Sequence, residues 1–293
     1  MHTKEDKLKA FSRLLDIQER LRKECPWDSQ QTNESLRPNT IEETFELADA
    51  LLKNDSKNIC KELGDVMEHV IFYSMLGEEK GDFDVADVCK AQSDKLMFRH
   101  DFIDWTGWSV TRSDMVVNAA GQVVYKDEEE QVAKNAQSTT PNTASQVEST
   151  WEQRKQRERD GNTSVLSGVP NSLPSLIKAY RIQDKARNVG FDWEEKEQVW
   201  DKVYEELEEL KNELMKEDKQ RSTEELGDFL FSLINAARLY HLNPDNALEH
   251  TNQKFIKRFN YIEEAVKAKG VTIKDLTLAE MDELWNQAKA ANN

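Results

Sequence analysis

Two short acidic patterns in this chain have the residue types and spacing for metal-assisted phosphate chemistry. In the second half, Glu205, Glu206 and Glu209 form an EExxE run, and Glu225 with Asp228 forms an ExxD pair. In the first half, Glu42, Glu43 and Glu46 form the same run, and Glu62 with Asp65 the same pair. The last acid of the run precedes the first acid of the pair by 16 positions in both halves. Residues three apart share a helix face, so each half would offer two pairs of carboxylates, one per helix. Antiparallel helices would turn those pairs toward each other.

Four carboxylates brought together near a core repel one another, and desolvation adds several kcal/mol per ion. A divalent cation removes that objection, and hard oxygen ligands suit Mg²⁺, which takes further ligands from substrate phosphates. A single EExxE in a Glu-rich chain is ordinarily a solvated face. Its pairing with ExxD at identical spacing, found twice, favours a metal site. Glu43 has a second reading, since with Thr40 it could form a capping box at a helix start. A di-iron carboxylate centre would need Glu-x-x-His pairs, and no histidine here follows a Glu by three.

The elements that must hold these acids read as helices. Leu8, Phe11, Leu14, Leu15 and Leu21 mark a first one ending near Cys25-Pro26-Trp27. Others are expected over about 40–53, 57–79, 84–100, 174–188, 194–216, 222–241 and 244–269, with a last one opened by Thr277 and Glu280 in capping-box spacing. Val199, Val203, Leu207, Leu210 and Leu214 would form the buried side of one metal-site helix, and Phe229, Leu230, Leu233 and Ile234 that of the other. Gly64 and Gly227 fall inside helices, where Gly costs about 1 kcal/mol against Ala, which suggests a close helix approach at each site. Residues 101–150 break the pattern. Met115 to Tyr125 could form a small β-hairpin around Asn118 to Gly121, and 134–150 reads as a polar linker. The organisation expected is all-α: a helical-bundle domain over 1–103, an insertion and linker over 104–150, and a related domain over 151–293. Lys95 and Arg99 correspond to Lys254 and Arg258 in the duplicate, which supports an internal repeat.

A net charge of −16 argues against binding a nucleic-acid polymer. Three cysteines, Cys25, Cys60 and Cys89, include no CxxC pair and read as reduced thiols. No apolar run reaches membrane-spanning length and no signal core opens the chain, so the expectation is a cytoplasmic protein that does not engage membranes.

EExxE followed by ExxD resembles the all-α nucleoside triphosphate pyrophosphohydrolases, and within them the MazG family. The strings that carry the resemblance are Cys25-Pro26-Trp27-Asp28 with Gln31 and Thr32, the run Thr40 to Ala50, Ser167 to Pro170, Ala179 to Gln183, Val189 to Trp193, and Glu225 to Asp228. It covers about residues 8–100 and 151–290. The resemblance implies tandem helical domains, usually a homodimer, and Mg²⁺-dependent hydrolysis of NTPs or dNTPs to monophosphate and pyrophosphate by metal-activated water at the α-phosphorus. Carried over by position, Glu206, Glu209, Glu225 and Asp228 would be metal ligands. Lys202 to Glu206, Arg221 to Glu224, Lys254, Arg258 and Trp285 would surround the nucleotide.

The residues allow these roles and simpler ones. Lys254 and Arg258 share a helix face and could bind phosphate oxygens, or merely compensate nearby acids. Trp285 could stack on a base or pack in a core. Glu205 could orient the water or face solvent. Glu43, Glu46, Glu62 and Asp65, with Lys95 and Arg99, could be a second site; the resemblance implies that activity resides in the second half, leaving this set degenerate. The chain departs from the family after Arg99-His100, where a Pro-His turn and short connection give way to the longer insertion. A non-catalytic nucleotide- or alarmone-binding regulator using the same acids is the alternative function.

Overall fold

The computed structural model describes residues 1–128, 143, 146–147, 150–151, 154–155, 157–159, 164–268 and 270–291. The chain divides into two compact units, Met1–Lys155 and Gln156–Asn293. Most of the polar stretch 134–150 lies outside the described residues.

Unit 1 contains α1 (Lys4–Glu24), α2 (Asn33–Leu52), α3 (Ser56–Lys80) and α4 (Val85–Arg99), followed by a two-stranded antiparallel sheet of β1 (Met115–Val117) and β2 (Val123–Tyr125). The helix α2 pairs with α3 as a hairpin, α1 and α4 pack on α3, and β2 packs on α4. Leu36, Phe72 and Leu76 form the core between α2 and α3. A second core, Met97, Phe98, Met115, Val123 and Tyr125, joins α4 to the sheet.

The β-hairpin expected in the insertion is present, with Val116 opposite Val124. Its turn is built by Asn118, whose Oδ1 accepts from the backbone N–H of Ala120 at 3.0 Å and Gln122 at 2.9 Å. Gly121 has φ +76° and lies so close to Asp104 that a Cβ would collide with that carboxylate, so only glycine fits. Buried Asp94 of α4 anchors the insertion by accepting from Thr111 N, Thr111 Oγ1 (2.6 Å) and Arg112 N (2.9 Å).

Unit 2 contains α5 (Ser175–Arg187), α6 (Val199–Met215), α7 (Lys219–Leu239), α8 (Pro244–Ala268) and α9 (Leu278–Ala291). The helices α6 and α7 form the counterpart of the α2–α3 hairpin; α5 packs on α7, and α8 touches α5, α7 and α9. Val199, Val203 and Ala236 pack with Phe229 and Leu239, and Ile262, Val266 and Leu284 hold α9 on α8. Thr277 and Glu280 cap α9 reciprocally as expected.

The duplication extends to the backbone of the turn. Asn54 (φ 52°) and Glu217 (φ 58°) occupy the same left-handed position in the two hairpins. Each is followed by an aspartate that caps the next helix: Asp55 accepts from Lys57 N and Asn58 N, and Asp218 from Gln220 N and Arg221 N. This fixes the direction of each ExxD helix relative to its EExxE partner.

Three expectations are corrected. The helix α2 begins at Asn33, runs through Pro38 and carries Thr40 in its interior. Thr40 is therefore no cap: its Oγ1 bonds the Leu36 carbonyl and bridges to His69 Nδ1 (3.0 Å) and Tyr73 Oη (2.6 Å) on α3. Pro38 obscured this start, since proline usually marks a helix beginning. Secondly, a Cβ at Gly64 or Gly227 would meet nothing within 4 Å, so neither glycine is required by close helix approach. Thirdly, Leu214, Leu230 and Leu233 are exposed. Leu230 belongs to a stripe repeated in both units: Leu63, Met67 and Val70 on α3, and Leu226, Leu230 and Leu233 on α7, are all 41–49% exposed.

Glutamate gains nothing from the left-handed turn at 217, where an L-residue with a longer side chain is strained by about 1 kcal/mol. Glu217→Asn, matching the residue at 54, should raise the melting temperature of unit 2 by about 2–4 °C in calorimetry, whereas Asn54→Glu should lower that of unit 1.

Candidate metal and nucleotide site

The acids converge in both units. Glu206 of α6 and Glu225 and Asp228 of α7 each offer an oxygen within 4.8 Å of the others. Glu206 is buried, Glu225 half-buried and Asp228 exposed, so the group opens from the helix interface to solvent. Its burial follows from register: Glu206 lies on the face of buried Val199, Val203 and Leu210. Glu209 stands outside this trio, yet it is the foremost of the charges that raise Glu225. The Glu225 carboxyl is pushed above its ordinary value first by desolvation, then by Glu209, Asp228, Glu206 and Glu213. All four acids expected to cooperate thus share one electrostatic neighbourhood.

Lys202 partly compensates the cluster. Its Nζ lies 2.7 Å from Glu206 Oε1 and 3.1 Å from Glu205 Oε1, and these bonds raise the ammonium's pKa. Glu205 therefore faces solvent as a partner of Lys202. Oxygens bound to one Mg²⁺ at about 2.0–2.1 Å would stand roughly 3–4 Å apart, so the trio fits a small hard cation with little side-chain movement. Three carboxylates with one adjacent ammonium retain a net negative charge, the complement such an ion requires.

In unit 1, Glu43, Glu46 and Glu62 form a trio within 4.8 Å, which includes the counterpart of Glu209 and leaves out Asp65, the counterpart of Asp228. The buried acid here is Glu62, on α3; its Oε1 accepts from Lys61 Nζ at 2.9 Å, and its buried Oε2 has no partner among the described residues. Asp65 pairs with Lys61 at 3.5 Å. The Glu43 carboxyl is raised by desolvation, then by Asp65, Glu46 and Glu62, and His69 opposes the rise. Both halves thus keep an acid cluster, with the compensating lysine on the EExxE helix in unit 2 and on the ExxD helix in unit 1.

A cavity of about 670 Å³ opens beside the unit 2 acids. Lys202, Glu206 and Asp228 line one part of it. Gln183 of α5, Phe191, Trp193, Phe231 and Asn235 line the remainder. Arg238, also in its wall, forms a two-pronged ion pair with Asp192 and donates to Asn235 Oδ1 at 2.8 and 3.0 Å. None of these wall residues was singled out from sequence for a site role. Gln183 and Val189 to Trp193 lie in strings that carry the family resemblance, which is the signal that could have flagged them.

Other candidates lie apart from this cavity. Lys254 and Arg258 are on α8, where the Arg258 guanidinium sits 5.4 Å from the Trp285 ring centre. Trp285 also packs 5.1 Å from Phe255, centre to centre. Unit 1 repeats the motif, with Arg99 4.5 Å from the Trp151 ring centre and Lys95 exposed. Arg221 and Glu224 are exposed on the first turns of α7, and Glu224 accepts from Gln220.

The MazG nucleotide pyrophosphohydrolase domain matches twice, over residues 31–103 and 194–262, each span containing one acid cluster. The chain belongs to the MazG family. It is 36% identical over 289 residues to the nucleoside triphosphate pyrophosphohydrolase of Escherichia coli K12, covering 96% of this chain and 98% of that one. It is 34% identical over 287 residues to the Thermotoga maritima nucleoside triphosphate pyrophosphohydrolase/pyrophosphatase MazG, covering 96% of each. The uncharacterized protein YabN of Bacillus subtilis is 38% identical over 267 residues, 90% of this chain and 48% of its own length. The MazG matches contain the α2–α3 and α6–α7 hairpins and extend over α4 and most of α8, so the acid-bearing elements lie within the family signature. Among the described residues no helix is long and apolar enough to cross a membrane.

An acid raised in the folded state holds its proton more tightly there than in the unfolded chain. The penalty from ionised Glu225 is full above its folded pKa and disappears as pH falls to the unfolded value near 4.5. Chelator-treated Glu225→Gln protein should therefore melt above the parent at about pH 8, with the gap closing toward about pH 4.5. A gap independent of pH would remove the electrostatic account.

Proposed function

We propose that the chain hydrolyses nucleoside triphosphates, NTPs or dNTPs, to nucleoside monophosphate and pyrophosphate in a Mg²⁺-dependent reaction at the unit 2 acids. The observation that carries this reading is the convergence of Glu206, Glu225 and Asp228 beside a cavity of about 670 Å³ that Glu206 and Asp228 line. The names and near full-length similarity of the E. coli and T. maritima relatives support the same reaction class.

Glu206, Glu225 and Asp228, with Glu209 beside them, would hold the ion. When bound, it supplies neutralisation of phosphate charge and a water of lowered pKa. Water oxygen adds to the α-phosphorus and gives up a proton to solvent, the bond from that phosphorus to the α–β bridging oxygen breaks, and pyrophosphate leaves with that oxygen. The acids orient the nucleophile and phosphates, and pre-positioning supplies most of the rate, as in phosphoryl transfer generally. Lys202 is placed to meet a phosphate oxygen if Glu206 turns to the ion. Lys254 and Arg258 could reach a nucleotide only from outside this cavity, which agrees with a role at an assembled interface.

Assembly as a homodimer is part of this reading. A groove of about 940 Å³ on unit 2, lined by Trp200, Gly227, Leu230, Leu233 and Tyr240, is almost wholly apolar. Leu230 and Leu233 of the exposed α7 stripe line this groove, so a second copy of the chain could cover both at once. A cytoplasmic location accompanies the reading, since the substrates are intracellular metabolites. The unit 1 acids are read as a degenerate copy.

Glu206→Gln should reduce pyrophosphate release from a dNTP and Mg²⁺ by at least about a hundredfold without changing the helical circular-dichroism signal, while Glu43→Gln should leave most activity. Orthophosphate as sole phosphate product would contradict the reaction, and nucleotide binding without any monophosphate would favour the regulatory alternative. Leu230→Lys should shift sedimentation toward the monomer; a monomeric parent protein would remove the dimer.

A further inference from the structure

The cavity wall contains a buried polar group that the chemistry at the acids does not use. Gln183 is 6% exposed. Its Nε2 donates to the Phe231 carbonyl at 2.8 Å, tying α5 to α7. That bond fixes the amide's orientation: the nitrogen faces the α7 backbone, and Oε1 is a stationary acceptor. Gln183 Oε1 is buried without a hydrogen-bond partner among the described residues, although Gln183 lines the cavity that Glu206 and Asp228 also line. A buried acceptor left unpaired costs about 1–3 kcal/mol, so a group of this kind calls for a donor from outside the chain.

The surroundings indicate which part of a nucleotide would complete it. Triphosphate oxygens carry negative charge and no N–H, so they would be repelled by a fixed carbonyl oxygen. A sugar hydroxyl could donate, but the same cavity is also lined by Phe191, Trp193, Phe231 and Ile182, flat or apolar groups suited to an aromatic ring. Asn235 is held by Arg238 through its Oδ1, which leaves its amide donors on the opposite side of that group. The cavity that holds the acids therefore also offers ring-stacking surfaces and a pinned acceptor, the complement of a nucleobase edge.

We propose that Gln183 is the residue through which the cavity recognises the nucleobase, with its Oε1 accepting an N–H of the base edge. The proposal rests on the unit 2 acids holding the triphosphate end, and it deepens that reading. Every common base has at least one edge N–H, so Gln183 reads the presence of a donor and imposes little choice among the four bases. Gln183 is here a binding and positioning residue, with no part in bond cleavage.

Thymine isolates the bond because N3–H is its sole N–H donor once the sugar is attached. Equilibrium binding of dTTP and of N3-methyl-dTTP, both in α,β-imido form so that the scissile bridge stays intact, to the full chain with Mg²⁺ is to be measured for the parent and for Gln183→Met, with melting temperatures as a control on folding. The parent should bind dTTP roughly tenfold more tightly than the methylated analogue, a loss typical of one hydrogen bond. Gln183→Met should weaken dTTP by a similar factor while leaving the analogue within about twofold, so that the preference disappears. If the variant retains the preference, the methyl group is excluded by shape and the proposal fails. Equal weakening of both ligands would assign Gln183 to α5–α7 packing alone and would also overturn it.

Gln183→Glu gives a second check, since it keeps an acceptor oxygen and should preserve the dTTP preference wherever its melting temperature matches the parent's; loss of the preference in that well-folded variant overturns the assignment. Pyrophosphate release from unmodified dTTP, assayed in parallel, separates the two readings. A preference that depends on Gln183 without turnover upholds base recognition and refutes hydrolysis. Turnover with no such dependence does the reverse, and failure to bind either ligand refutes both.

Discussion

Mutual repulsion among carboxylates is the constraint around which each half of this protein is arranged. Three acids with oxygens inside 4.8 Å, one of them buried, are unfavourable unless positive charge is supplied. Lys202 and Lys61 supply some of it, and the Glu225 and Glu43 carboxyls are still raised, first by desolvation and then by the neighbouring acids. The remaining deficit is what a divalent cation would satisfy. A cluster arranged this way is more repulsive empty than it would be filled, so folding itself would contribute to the affinity for such an ion.

The hairpin provides the rigidity that such a cluster demands. Acids on two helices meet only if the connecting turn sets both direction and register, and the left-handed residue followed by a capping aspartate does this identically in both units. Conservation of that turn geometry between the halves, alongside divergence of the residues around it, shows what a duplicated site must keep. The buried acid has moved from the EExxE helix in unit 2 to the ExxD helix in unit 1. The position of Lys202 is held by Asn39 in unit 1, and that of Lys61 by Glu224 in unit 2. The same four carboxylates are thus embedded in two different charge environments.

Around the hairpins, burial is uneven. Small cores hold α8 to α9 and α4 to the sheet, while the outer stripes of α3 and α7 remain apolar and exposed. A helix that spends one face on acids and another on core packing has a third face free for association. The Arg–Trp stacks, Arg99 on Trp151 and Arg258 on Trp285, recur in both units and hold the arginine of the KxxxR pattern in place, a role that neither of its sequence readings contained.

Much of this was legible from the residues alone. Helical periodicity located the main helices, and identical spacing of EExxE and ExxD exposed the duplication and the acids that converge. These signals are local, governed by side-chain repeat and capping chemistry that do not depend on distant contacts. Other features needed the tertiary structure. The true start of α2 was hidden by Pro38, and the reach of Thr40 to His69 and Tyr73 joins residues about thirty positions apart. Leu230 and Leu233 look like core residues in any one-helix reading, because a helical sequence shows which side chains share a face and not whether another element covers it. The wall of Gln183, Trp193, Phe231 and Asn235 likewise comes from three separate segments, and only folding could place their chemistry beside the acids.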